Sequence, residues 1–508
     1  MNTTTASPNN TSGPAHKMRR WLFVVIPAAA LAGAYGAWLL YGYIAGRHQL
    51  ERAGFADEMP IPGEGCRVLV VAPHPDDEAL GCGGLIRRAL AAGAEVRVAL
   101  MTNGDGSELA VIFGEKDLPL RPRAFIKLGL ERQKESLRAL ELLGLPARCV
   151  TFLGYPNNGL VKLWRPEHWP PTAPYKSPYT KADHSPYANS FTPIAPYCGQ
   201  QVIDDLTRLM RAYKPTHIFV THPQDVHPDH WATARFLEYA LQRLAAEGER
   251  WAAEAKVYGY LIHWPRWPLP KAYAPRFPLA PPPDLVAIEP RRWLKLELDP
   301  GIVMLKSKAV WCYRSQQPKA DVLLPALIRA NEAFWPLQPN DGTTSLALPP
   351  LGRWLHWRDE RTLIHHLGGA DITAAYVLIG NNNTLLANLV CVPRAMSTRA
   401  YVAVDLHGWD AQGRPLVATV YLRKNKPARV VWCADGHVET LTAPARETSP
   451  GMWTCGPVRL PPFDYTTVLL TCWGSVGDRY TDPAPWPGPA TDTTSAPPSA
   501  DKSAAFFR

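Results

Sequence analysis

The chain reads as an α/β protein built on a doubly wound, Rossmann-like parallel sheet, with a transmembrane helix before it and a C-terminal β-sandwich after it. Three observations carry this reading. Val68 to Ala72 is an unbroken apolar run rich in Val, the pattern of a strand buried on both faces of a parallel sheet. Strand-like and helix-like runs then alternate: Arg67 to Ala72, Ala79 to Ala92, Glu95 to Met101, Glu131 to Leu143 and Cys149 to Leu153. Beyond Gly369 the helical signal gives way to short β-branched and aromatic runs separated by Asn, Gly and Pro.

Taken in order, the 508 residues exceed one ordinary domain, and the 46% hydrophobic content is ample for real cores. Net charge is +9, yet only 19% of residues are charged and no block of charge stands out. Nothing here argues for nucleic acid; a bacterial surface or an acidic polysaccharide accounts for the positive balance as easily. Residues 1–20 are polar at first and basic at the end, and read as a disordered cytoplasmic tail. Residues 21–45 lack any charge and follow Lys17, Arg19 and Arg20. A helix of that length exceeds a hydrocarbon core of about 30 Å and spans it with some tilt. A cleavable signal is the rival reading, but the apolar run continues through Ile44, beyond a signal core of roughly 7–15 residues. The basic end places the N-terminus in the cytoplasm and the bulk of the chain outside a single-pass inner-membrane anchor. Residues 46–62 are a linker and 63–335 the catalytic domain. Within it, Val161 to Cys198 loses all period among prolines and aromatics, Trp164 and Trp169 included, and reads as a lid or cleft wall, with disorder as the alternative. Residues 336–370 form an irregular connector, 371–482 the β-sandwich and 483–508 a Pro, Thr, Ser and Ala tail. Four of the nine Cys, at 391, 433, 455 and 472, fall in the sandwich, where an oxidising compartment would allow some to pair.

The chemistry sits where two strands end. Pro73, His74 and Pro75 stop the first strand, and Asp76, Asp77 and Glu78 follow at the start of a helix. That is the carboxyl edge at which open α/β sheets hold ligands. Helix capping explains one or two of these acids but not a His, two prolines and three acids in a row. Gly81, Gly83 and Gly84 lack the endings of a phosphate loop, and the acids ahead of them would repel a phosphate. A second strand, Thr216 to Thr221, runs into His222-Pro-Gln-Asp-Val-His-Pro-Asp-His230 and another helix-like run through Arg243. His227 and His230, three apart, share a face in a helical turn. One His and one carboxylate from the first loop with one His from the second make a three-ligand site with a place left for water, the catalytic zinc arrangement, and a leftover Asp is free to take a proton.

His74-Pro-Asp-Asp-Glu78 followed by His227-Pro-Asp-His230 resembles the PIG-L family of zinc-dependent sugar de-N-acetylases. Thr102-Asn-Gly-Asp-Gly106, Arg132 with Glu135, Phe152-Leu-Gly-Tyr155 and Tyr313-Arg-Ser-Gln316 fit the same pattern, so the resemblance runs from about Arg67 to Phe334. Pro73 and Asn157-Asn158 depart from it. The resemblance implies one Zn2+ per chain held by His74, Asp77 and His230, with Asp76 as general base and His227 supporting the oxyanion or leaving amine. Arg132, Asp229 and Asn158, with His263, Trp164 and Trp169, are the expected sugar contacts. The expectation is therefore a membrane-anchored, outward-facing deacetylase of N-acetylhexosamine units in an exopolysaccharide or other envelope glycan, alongside polysaccharide-assembly proteins. A small lipid- or thiol-linked glucosamine conjugate is the alternative substrate. A glycan-binding or assembly protein on a degenerate fold is the alternative from another class.

Overall fold

The computed structural model describes residues 14–52, 57–115, 121–288, 293–319, 323–337, 354–358, 372–379, 384–391, 400–410, 414–459, 465–476 and 479–483. The expected tails beyond these limits, and most of the expected connector, lie outside the described residues.

The first strand is where its apolar run put it. β1 (Arg67–Ala72) lies at the centre of a seven-stranded sheet, between β2 (Glu95–Thr102) and β4 (His217–Thr221), and its residues from Val68 onward are buried. β3 (Val150–Tyr155) flanks β2 and β5 (Lys256–Tyr260) flanks β4, all in parallel. Two antiparallel strands then close the far edge, β7 (Asn331–Pro336) on β5 and β6 (Leu294–Glu297) on β7. The order β3-β2-β1-β4-β5 reverses between β1 and β4, so the loops that follow these two strands face one crevice.

The helices between strands cover this sheet. α2 (Asp77–Ala91), α3 (Pro122–Leu142), α4 (Gly199–Tyr213), α5 (Pro228–Ala246) and α6 (Pro300–Val310) each bury an apolar face. Ahead of them α1 (Pro14–Arg52) is one long helix, and its Pro27–Glu51 stretch is long and apolar enough to cross a membrane.

Three expectations need correction. First, α1 runs through residues 14–20 of the expected disordered tail and 46–52 of the expected linker. The stretch 161–198 is neither a lid nor disordered: it is tied into the fold by backbone bonds such as Tyr175 N–H to Tyr197 O at 2.8 Å, and Trp164, Trp169, Tyr187 and Tyr197 are buried. Nor is the connector wholly irregular, because Trp354–Arg358 is a strand paired with Ile372–Ile379. These two belong with Thr384–Cys391, Met452–Arg459 and Ala445–Ser449 to a five-stranded antiparallel sheet. A second sheet of six antiparallel strands runs from Ala400–Asp410 through Pro415–Arg423, Ala428–Ala434 and His437–Ala443, with Tyr465–Val476 and Arg479–Pro483 on its other side. Cys433 and Cys455 are buried free thiols, while the side chains of Cys391 and Cys472 lie outside the described residues.

Candidate metal centre and active site

Because β1 and β4 are neighbours, the loop 73–78 meets the loop 222–230. Asp76 and Asp77 are one peptide apart, yet their side chains part company. Asp76 has φ 130°, a strained backbone for a non-glycine residue, of the order of 1–3 kcal/mol. Its side chain makes no bond to the helix start; instead its Oδ2 meets Arg132 at 3.2 Å. Asp77, at regular helical backbone, turns Oδ2 to the histidines.

Three atoms converge there: Asp77 Oδ2 is 3.2 Å from His74 Nδ1 and 3.2 Å from His230 Nε2, and those two nitrogens are 3.3 Å apart. Metal bonds of about 2.0–2.1 Å at tetrahedral angles would put ligand atoms about 3.3 Å apart, so these edges match a zinc-sized ion. The far side of each ring is held by a carboxylate. His74 Nε2 donates to Asp229 Oδ2 at 3.1 Å and His230 Nδ1 to Asp225 Oδ2 at 3.1 Å, leaving lone pairs on the two inward nitrogens. Three acceptor atoms face one another, an arrangement that demands a cation between them. Without such an ion, protons on the two rings would supply the positive charge. Burial opposes charge on His74 and His230, but their carboxylate partners raise both, and burial of Asp77 is outweighed by His230 and His74, which hold it well below the usual range.

The groups beside this triangle are set differently. His227 caps α5, and its Nδ1 accepts the Asp229 backbone N–H at 3.2 Å, so the neutral ring carries its proton on Nε2. Burial, then His74 and His230, hold its pKa well below the ordinary value, which keeps it neutral. A neutral Nε2–H is a donor for developing negative charge. Ligand-type atoms of His227 lie within 4.8 Å of those on His74 and His230, and those of His263 within the same range of Asp77 and His230. Burial pushes the Asp76 carboxyl up to about 7, against the pull of Arg132, as suits a group that must take a proton near neutrality.

Of the expected sugar contacts, Asn158 and His263 stand at the rim of the site. Asn158 Nδ2 faces Tyr179 Oη at 3.4 Å and Gly106 O at 3.5 Å, which brings Tyr179 of the long loop to the same rim. The others do not stand where a sugar would meet them. Trp164 and Trp169, each 1% exposed, pack among Trp231, Phe236 and Tyr239 and stack Trp164 on His407 of the six-stranded sheet. Asp229 is fully enclosed, accepting from His74, Asn158 N–H at 2.6 Å and Leu160 N–H at 3.1 Å, so it orients a histidine. Arg132 is buried and engaged with Gly104 O at 2.9 Å, Pro75 O at 2.5 Å and Asp76, so it fixes the strained loop.

Two further acids escaped sequence reasoning. Asp225 also accepts the N–H groups of His227, Ile262 and His263, tying the loop after β4 to the end of β5; its place inside the second histidine run was the available signal. Glu78 accepts the Asp76 N–H at 2.9 Å on one oxygen and the hydroxyls of Tyr313 and Ser136 on the other, which holds the strained residue in place.

Known proteins resemble this chain over the stretch that holds the site. Residues 69–241 match the PIG-L family model, described as GlcNAc-PI de-N-acetylase. The chain is 29% identical over 240 residues to a 1D-myo-inositol 2-acetamido-2-deoxy-alpha-D-glucopyranoside deacetylase of Mycobacterium sp. (strain KMS), a match covering 46% of this chain and 63% of that one. It is 32% identical over 203 residues to a protein of the same name from Tsukamurella paurometabola, covering 38% and 61%. The chain thus spans less than two thirds of the length of these relatives. Among solved structures, N,N'-diacetylchitobiose deacetylase from Pyrococcus horikoshii aligns over 53% of this chain and 83% of its own at 20% identity, with a TM-score of 0.32. The stretch that carries His74, Asp76, Asp77, His227 and His230 is therefore a PIG-L domain, matched over residues 69–241.

Proposed function

We propose that this protein is a zinc-dependent de-N-acetylase of N-acetylhexosamine units, working outside the inner membrane to which α1 anchors it. The observation that carries the chemistry is the triangle of His74 Nδ1, Asp77 Oδ2 and His230 Nε2, with the Arg132-paired acid Asp76 and a neutral imidazole beside it. Zinc suits this donor set, and when bound it supplies positive charge that acidifies a water and polarises the acetamide carbonyl. Asp76 accepts the proton that the attacking water loses. His227 offers its Nε2–H to the oxygen on which negative charge gathers. Asp76 then returns its proton to the departing amine nitrogen, so the products are acetate and a free amino sugar.

The activity named for the relatives supports the sugar half of this reading. An envelope glycan as substrate rests on α1 and on the C-terminal sheets, which we take as a sandwich, and not on Trp164 and Trp169, which wall no cleft. A small lipid- or thiol-linked glucosamine conjugate is the second reading, favoured by the inositol conjugate in the relatives' name. The test is acetate release by the purified full chain from a panel of acetylated oligosaccharides and small glucosamine conjugates, with metal content measured on the same samples. Acetate from the oligosaccharides supports the first reading and from the conjugates alone the second. Stoichiometric metal without acetate from any member would overturn the deacetylase and leave a binding protein.

A further inference from the structure

α1 does not simply emerge from the catalytic domain; its last turns lie against it. Leu39, Gly42, Ala45, Gly46, Gln49 and Leu50, spaced by three or four, are the covered positions, and they form one helical face. Two glycines allow the approach. A Cβ on Gly42 would stand 3.2 Å from Pro270 Cβ, and one on Gly46 would stand 2.8 Å from Leu269 O and 3.1 Å from Phe277 Cε1. Tyr43 meets Phe277 edge-on at 5.4 Å. The receiving segment is itself held down, since Arg329 donates to the carbonyls of Leu269 and Pro270 and Trp267 Nε1 to Ala280 O at 2.7 Å.

Counting the span from the basic end sets the height of this contact. A hydrocarbon core of about 30 Å takes about 20 helical residues, so a span that starts at Trp21, next to Arg20, uses residues up to about Leu40 of the apolar stretch and leaves Gly42 to Leu50 beyond it. The docked segment then sits at the headgroup layer. Around it lies a patch with interfacial character. Tyr273 is 50% exposed, with its hydroxyl 3.3 Å from Ser307 Oγ on α6, and on the same flank of that helix Met304 is 54% and Trp311, at its end, 47% exposed. Arg276 and Lys308 are exposed beside them. Exposed aromatics with basic neighbours, next to an apolar helix, fit an anionic bilayer surface.

We infer that the flank formed by Tyr273, Met304 and Trp311 rests in the headgroup layer of an anionic membrane, held there by the Gly42–Gly46 face of α1. This rests on the anchor reading of α1. The experiment places a benzoylphenylalanine photo-crosslinker singly at Leu31, Met304, Trp311, Ile194 and Val438 in the full chain, reconstituted in vesicles containing phosphatidylglycerol, and counts lipid adducts by mass. Adducts at Met304 and Trp311 several-fold above those at Ile194 and Val438 are expected, and fewer of them when Gly46→Leu pushes α1 off Leu269 and Phe277 while the Leu31 adduct persists. Adducts at Leu31 with none above control at Met304 and Trp311 would overturn the inference and leave the anchor standing. No adduct at Leu31 would overturn both.

Discussion

Asp76 and Asp77 are the same side chain one peptide apart, and the backbone gives them different partners. The turn at φ 130° sends Asp76 to Arg132, while Asp77 faces two histidines. Loss of a ligand atom and loss of a base therefore have separate signatures. Asp77→Ala, like His74→Ala and His230→Ala, is expected to lose metal along with turnover. Asp76→Asn is expected to keep near-stoichiometric metal while the rate falls by roughly two to four orders of magnitude. An active Asp76→Asn beside a metal-replete, dead Asp77→Asn would reverse the assignment. The enclosed Asp229 supplies a second test. As the partner of His74 Nε2, its change to Asn should weaken metal affinity by about 10–100-fold with little change in KM at saturating metal. A raised KM at unchanged metal affinity would make it the sugar contact first expected. The motif residues themselves were legible in sequence because chemistry needs those residue types. Which acid faces which way was not, since a positive φ at an Asp leaves no mark in composition.

At the scale of elements, the glycines of α2 show what periodicity leaves out. Gly81-Cys-Gly-Gly84 has no phosphate to bind, and sequence offered no other use for it. In the fold, a Cβ on Gly81 would run into the Tyr260 ring and one on Gly84 into the Leu298 side chain, so the glycines let α2 press against the strand and loop beneath it. Gly84→Ala is expected to cost about 1–3 kcal/mol by overpacking, read as a lower thermal midpoint with metal affinity kept. An unchanged midpoint would show that Leu298 gives way freely. The parallel strands were readable because burial on both faces writes an apolar run. His437–Ala443 and Ala445–Ser449 were not, because their mostly exposed, polar side chains carry no such run. The stretch 161–198 misled for a different reason: aromatics without period look like a cleft, whereas Trp164 and Trp169 fill a junction. Trp164→Ala should therefore destabilise the chain by about 3–5 kcal/mol and leave KM equally affected for long and short oligomers. A larger KM effect on long oligomers would restore the cleft reading.

The whole molecule is joined at that junction, and one titratable ring lies in the joint. His407 stacks on Trp164 with ring centroids 3.8 Å apart and planes 14° apart, with Trp169 at 5.1 Å and Tyr239 at 6.1 Å. Neither ring nitrogen has a hydrogen-bond partner among the described residues. Polar contacts lie at the edge, where Glu167 accepts from Tyr421 at 3.4 Å and Arg429 at 3.3 Å, and Thr172 donates to Gly436 O at 3.3 Å. Burial holds the imidazole well below its ordinary value of 6.5, so the folded chain keeps it neutral while the unfolded chain protonates it on acidification. The contribution is therefore fully present above pH 6.5 and falls as pH drops below it, by about 1.4 kcal/mol per pH unit until the folded pKa is reached. His74 and His230 are shifted the other way and obscure this in the wild type alone. His407→Phe keeps the stacked ring and removes the titration. Its stability relative to wild type should grow as pH falls from about 6.5 to 5 and stay level from 6.5 to 8, followed by denaturant unfolding and by protease cleavage between the two regions. A difference that stays constant across the whole range would mean that His407 is protonated or solvated in place, and that the two regions are not sealed together by this stack.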